Sequence, residues 1–244
     1  MPLNEYRKKR RFDVTSEPSG KKLAPPPSKP KHKLAYVVQK HRATNLHYDL
    51  RLEWNGVLLS WAVPKGPSTD PSVKRLAMQV EDHPLDYASF EGTIPEGEYG
   101  GGTVMVWDDG TWEPESPDVN AALEKGDLKF ILHGKKLRGS WVLVRTRGFG
   151  SSSKPSWLLI KHRDEYASTD DITVTKPKSV LSGRLLAQIA KDGGGDVAKA
   201  ATGDPPKPAA AAAPAKPARK SAAKSSRAAS ARSSKPPART RKSR

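Results

Sequence analysis

Between residues 34 and 166 the chain alternates apolar and polar positions in short runs separated by turn-forming residues. LAYVVQKH and NLHYDLRLEWNG each read as a strand with period two. Both residues of Asn55-Gly56 tolerate positive φ, which predicts a tight hairpin into VLLSWAVP. KRLAMQVEDH predicts another strand, and GTVMVWDDGTWEPE a second hairpin with Asp109-Gly110 at its tip. DLKFILHG, GSWVLVRT and SWLLIKHR complete a set of about eight strands, which fits a closed barrel or a sandwich. Helical windows are few. SPDVNAALEKG predicts one, with Ser116 or Asp118 near its N-cap and Gly126 beyond its end, and SVLSGRLLAQIA (179–190) predicts another.

The flanks read differently. Residues 1–33 form a basic arm ending in the Pro-rich linker KLAPPPSKPKHK. From about Lys191 the chain runs into Ala, Pro, Lys and Ser without apolar periodicity, so residues 191–244 are expected to be a disordered basic tail. The expected folded domain is 34–190. Of the net charge of +17, both flanks carry an excess: 199–244 holds thirteen Lys or Arg against the single acid Asp204, and 1–33 holds ten against three. Near-neutral middle and basic arms point to a polyanion, DNA above all, as partner. With no cysteine in the chain, disulfides and thiolate metal sites are excluded. MPLNEYRKKRR has no apolar run behind it, unlike a secretory signal, and no stretch approaches the ~20 apolar residues of a membrane span. The expected location is the cytoplasm, with the nucleoid.

Alternation also isolates the candidate chemistry. In NLHYDLRLE, Leu46, Tyr48, Leu50 and Leu52 share one face, and His47, Asp49, Arg51 and Glu53 the other. Val37, Gln39 and His41 share a face on the preceding strand. On a later one Gln79, Glu81 and His83 are expected opposite Leu76, Met78 and Val80. Glu53, Gln79 and Arg42 fit the wet side of a sheet. His47-Asp49-Arg51 does not: imidazole and carboxylate can hold a divalent metal, and the neighbouring guanidinium suits a phosphate. Such a pairing serves phosphoryl chemistry. His83 and Tyr87 follow the later strand, and GTIPEGEYGGG reads as a conformational turn without the P-loop pattern. Lys65 and Arg75 are further phosphate contacts to consider.

QKHRATNLHYDLRLEWNGVLLSWAVPKGPS, RLAMQVEDHPLDYASFEGTIPEGEYGGGTVMVWDDGTWEP, KGDLKFILHGKKLRGSWVLVR and WLLIKHRDEYA resemble the 3′-phosphoesterase domain of bacterial DNA ligase D, over about residues 34–166. The resemblance implies a compact closed β-barrel with a polar interior site. It implies a metal-dependent enzyme, typically with manganese, that heals DNA 3′ ends for non-homologous end joining. A terminal ribonucleoside would leave by phosphodiester cleavage, and the remaining 3′-phosphate by hydrolysis, giving a 3′-hydroxyl. It implies His41, His47 and Asp49 as metal ligands, and Arg51, His83 and Tyr87 around the scissile phosphate. Gln39, Lys65, Arg75 and Glu81 would form a supporting ring. An ordinary imidazole pKa near ~6.5 would suit His83 as the acid for the leaving oxygen. Two positions depart from the family pattern: Arg10-Arg11-Phe12 replaces a common Arg-Asp-Phe run, and Asn45 stands where Arg is common. The first bears on the ribonucleoside step. With no polymerase or ligase segment in the sequence, a ligase, polymerase or Ku-like protein is expected to act in trans. Two rival readings are a non-haem iron oxygenase using His47, Asp49 and His83, and a non-catalytic basic DNA-end-binding accessory protein.

Overall fold

The computed structural model describes residues 3–20, 32–146 and 155–206. The chain runs through α1 (Asn4–Lys8), β1 (Leu34–Arg42), β2 (Leu46–Trp54), β3 (Val57–Val63) and β4 (Lys74–His83). A 3-10 turn (Leu85–Ser89), β5 (Gly92–Ile94), β6 (Gly102–Pro114), α2 (Val119–Lys125), β7 (Asp127–Gly134), β8 (Arg138–Arg145) and β9 (Ser156–Lys161) follow. α3 (Ile172–Thr175), α4 (Leu186–Asp192) and α5 (Val197–Ala201) complete it. Antiparallel pairing runs β1-β2-β3-β4-β9-β8-β7-β6, and β6 returns to β1, so eight strands close into a barrel. β5 pairs with the first residues of β6.

The β2–β3 hairpin turns as its sequence predicts, with Asn55 at φ 50° and Gly56 at φ 79°. Asp118 caps α2 by accepting from Ala121 N–H, and Gly126 ends it at φ 82°. The second predicted hairpin does not form. β6 is one continuous strand of 13 residues, with Asp109-Gly110 in its middle. A register shift opposite Val38 and Gln39 inserts Trp107 as the extra residue, which bends β6. Gly110 is needed there for close strand approach: a Cβ would lie 2.3 Å from the His133 carbonyl oxygen.

Of the segment 179–190 expected to be helical, only the part from Leu186 is. Ser179 instead makes a turn, its hydroxyl accepting from the N–H groups of Leu181 and Ser182. Order continues past Lys191. α5 buries Ala200, and the Asp204 carboxylate accepts from the N–H groups of Leu186 and Ala187 at the start of α4. The rest of the expected tail, from residue 207, and most of the Pro-rich linker lie outside the described residues. Residues 3–20 of the arm pack against the barrel, with Leu3 and Tyr6 fully buried.

The barrel interior is mainly apolar. Tyr36, Val38, Tyr48, Leu50, Leu52, Trp61 and Val63 point inward, where they join Phe130, Leu132, Trp141, Trp157 and Leu159 from the opposite wall. The buried indoles mostly find acceptors: Trp107 donates to the Lys176 carbonyl, Trp112 to that of Glu53, and Trp157 to the Gln79 side chain. Because side chains alternate, Gln39, His41, His47, Asp49 and Arg51 lie on the outer wall. The polar site is therefore outside the barrel and not in its interior. A second apolar cluster, including Leu3, Tyr6, Leu58, Tyr87, Phe90 and Ile94, brings the arm and segment 84–94 over that wall.

Candidate active site

Strand register assembles the centre. His41 lies opposite His47 and Gln39 opposite Asp49 on β1 and β2, and Arg51 lies opposite Ser60 on β3. Ligand atoms of His41, His47 and Asp49 lie within 4.8 Å of one another. Asp49 Oδ2 is 3.8 Å from His41 Nδ1 and 3.7 Å from His47 Nε2. The other ring nitrogens are engaged: His41 Nε2 is 2.8 Å from the Gly100 carbonyl oxygen and His47 Nδ1 is 3.0 Å from that of Asn45. Donation to those carbonyls leaves a lone pair on each ring directed at Asp49. Two neutral imidazoles and one carboxylate, each backed by a hydrogen bond, fit a divalent metal.

Arg51 fixes the centre from beneath. Its Nη2 donates to Asp49 Oδ2 (3.1 Å), Nε to Gln39 Oε1 (2.8 Å) and Nη1 to Ser60 Oγ (2.8 Å). Gln39 in turn donates to the carbonyls of Tyr87 and Phe90, both at 2.9 Å. Burial alone would raise the Asp49 carboxyl, but the Arg51 cation with His47 and His41 holds it well below the usual carboxylate range. Burial lowers His41; at His47 burial is again the largest single effect, but the Asp49 charge together with hydrogen bonding to Asp49 and to the Asn45 carbonyl raises the ring overall.

His83 sits between two guanidinium groups. Arg51 Nη1 is 2.9 Å from its Nδ1 and Arg10 Nη2 is 3.1 Å from its Nε2. Burial first, then the Arg51 and Arg10 charges, push it well below the ordinary histidine value. Guanidinium groups at both ring nitrogens disfavour the protonated ring that a role as acid would use. The set of His47, Asp49 and His83 required by the oxygenase reading is not assembled, because His41 takes the third place. Tyr87 lines the cavity with its ring under Arg51, and its hydroxyl donates to Glu17 Oε1 (3.0 Å). Burial raises that hydroxyl well above the usual tyrosine value, so it remains a donor.

The arm supplies residues that strand periodicity did not reveal. Arg10 stacks over Tyr6 at 4.0 Å, pairs with Glu17 (2.9 Å) and Glu81 (3.3 Å), and faces the cavity. Lys9 also holds Glu81, at 3.0 Å. Arg11, 67 % exposed, pairs with Glu98 at the rim. The cavity, about 160 Å³, is lined by Arg10, His41, His47, Asp49, Arg51, Glu81, His83, Tyr87, Tyr99 and Gly100, among others.

Lys65 and Arg75 do not join this group. Lys65 is exposed in the loop after β3. Arg75 shares the inward face of β4 with Ala77, opposite Leu159. The cause is a bulge in β4: Ser60 pairs with Val80 but Leu58 with His83. Alternation breaks there, so Gln79 points to the core and Val80 lines the cavity beside Glu81 and His83. Glu53 is likewise not on a wet face; it is buried, accepting from Ala35 N–H (2.8 Å) and pairing with His32 (2.6 Å).

Within the bulge, burial and then the Glu81 charge push Asp82 from 3.8 up to about 6. The folded form therefore holds its proton more tightly than the unfolded chain. This costs nothing below pH 3.8, grows as pH rises and is complete above about 6. Asp82→Asn should add ~1–2 kcal/mol at pH 8, after discounting for partial exposure, and nothing at pH 4. Thermal melts at the two pH values test this; an equal gain at both would rule out the electrostatic cause.

Fold and site together define a closed β-barrel with a His-His-Asp centre on its outer wall. Residues 39–145 match the family described as the DNA Ligase D 3′-phosphoesterase domain. The chain is 55 % identical over 188 residues to the Multifunctional non-homologous end joining protein LigD of Pseudomonas aeruginosa, covering 76 % of this chain and 22 % of that protein. The protein of the same name from Mycolicibacterium smegmatis is 39 % identical over 168 residues, 67 % of this chain and 21 % of its own length. The Multifunctional non-homologous end joining DNA repair protein LigD of Mycobacterium tuberculosis is 44 % identical over 148 residues, 60 % of this chain and 18 % of its own. The chain thus spans about a fifth of the length of the curated relatives it matches.

Proposed function

We propose that this domain heals DNA 3′ ends, removing 3′-phosphates and, from ribonucleotide-terminated strands, the terminal nucleoside followed by its phosphate. The observation that carries this reading is the arrangement of Arg51 and Arg10 beside the His41-His47-Asp49 centre, around one small cavity. His41, His47 and Asp49 would hold a divalent ion, manganese in our reading, which supplies Lewis acidity and lowers the pKa of bound water. Arg51 and Arg10 offset charge on the phosphoryl oxygens. In the nucleoside step a water oxygen forms the new P–O bond while the P–O5′ bond breaks, and O5′ leaves with the nucleoside and a proton; in the phosphate step the P–O3′ bond breaks instead, and O3′ leaves with a proton. His83, neutral between two cations, is suited to accept a proton or hydrogen bond, not to supply charge. Gln39, Glu81, Tyr87 and Glu17 hold the two guanidinium groups in place. A ligase, polymerase or Ku-like protein would use the healed end.

The test uses one labelled primer-template ending in a 3′-phosphate or a single ribonucleotide, with manganese or with chelator. The expected product from both ends is a 3′-hydroxyl, formed only with metal. DNA binding without reaction at either end would sink the enzymatic reading and leave the DNA-end-binding module. Reaction at the 3′-phosphate alone would remove the ribonucleoside step and direct attention to Arg11.

A further inference from the structure

Tyr99 stands at the cavity mouth with 44 % of its surface exposed and belongs to neither apolar cluster, so its ring does not hold the fold together. The next residue, Gly100, orients the His41 ring through its carbonyl, so Tyr99 is carried on backbone fixed to the centre. Two cations of the arm lie over the ring: Lys9 Nζ at 5.0 Å from its centroid and Arg10 Cζ at 5.4 Å. Glu81 fixes both cations. The ring lines the same cavity as Asp49 and Arg51. A phosphoryl group held by Arg51 and Arg10 in this space of about 160 Å³ would bring the nucleotide that bears it to Tyr99. An aromatic ring beside cations binds single-stranded nucleic acid without reading sequence: the cations attract phosphate, and every base has a face to stack.

We propose that Tyr99 is the platform on which the terminal base of a DNA 3′ end stacks. It would select phosphates borne on a nucleotide over those without a base, and it would be indifferent to which base is present. This rests on reading the cavity as a 3′-phosphate site.

The test is equilibrium binding of the full chain, by fluorescence anisotropy without added metal, to two single strands of equal length and charge. One ends in a 3′-phosphorylated nucleotide, the other in a 3′-phosphorylated abasic deoxyribose analogue. Non-specific attraction to the basic segments is the same for both and cancels. Wild type should bind the base-bearing end roughly ten-fold more tightly. Tyr99→Phe should keep that ratio. Tyr99→Ala and Tyr99→Leu should bind both strands with the weaker affinity. The proposal is overturned if wild type does not discriminate, or if Tyr99→Ala and Tyr99→Leu still do. Phosphate release is assayed separately. Discrimination without release refutes the activity and keeps the platform; release without discrimination does the reverse.

Discussion

Asp49→Ala should lower metal-dependent release of 3′-phosphate by at least about 10³-fold and should also destabilise the fold. The two effects have separate causes in one carboxylate. Oδ2 is the point on which His41 Nδ1 and His47 Nε2 converge, and without it two neutral imidazoles remain. The same oxygen accepts from Arg51, whose side chain is 4 % exposed. Removing it leaves a buried cation with neutral partners only, a loss of ~3 kcal/mol. In a domain of this size that lowers the melting temperature by roughly 6–12 °C. Asp49→Asn separates the effects, because its amide oxygen can still accept from Arg51 while supplying no charge to a metal. It should melt closer to wild type, yet show no manganese binding by calorimetry and no turnover. Manganese bound by Asp49→Asn with near wild-type affinity would mean the ligand set lies elsewhere.

The part of this centre carried by β1 and β2 was legible because a strand has one rule, alternation, and both strands obey it. Asn55-Gly56 fixes their partner β3, and cross-strand register then places His41 by His47 and Gln39 by Asp49. On β4 the rule fails locally. The bulge near Glu81 moves Val80 to the cavity and leaves Arg75 and Gln79 facing inward, and no residue type in KRLAMQVEDH announces it. Gly110 misled for a related reason: a glycine needed for close strand approach looks the same in sequence as one needed for a turn. That the site lies outside the barrel depends on which of two alternating faces is enclosed. Tryptophans contributed by β3, β6, β8 and β9 settle that question only once closure brings them together. The short ordered segment around α5 was hidden by composition, since its anchors are Ala200 and a single carboxylate, Asp204.

The arm was the least legible contributor, and it yields the second large prediction. Arg10 lies 71 residues from Glu81 and 73 from His83 along the chain, so no local pattern connects them. Glu17, its nearer partner, has a side chain that is 0 % exposed. Arg10→Met should therefore cost ~3 kcal/mol by leaving that carboxylate without its cation, and should lower kcat/KM for 3′-phosphate ends by about 10²–10³-fold. Arg10→Met combined with Glu17→Gln removes both charges, while the amide oxygen of the second substitution can still accept from the Tyr87 hydroxyl. The double variant should regain most of the lost melting temperature and none of the lost activity. Recovery of both would show that Arg10 only braces the arm. The same Arg10 substitution removes one of the two cations that hold His83 neutral, after burial and alongside Arg51. The His83 ring should then titrate at higher pH than in wild type, which its NMR chemical shifts would follow. That upward movement requires Arg10 to sit against the ring in solution, so it separates direct electrostatic contact at the site from a general loosening of the arm.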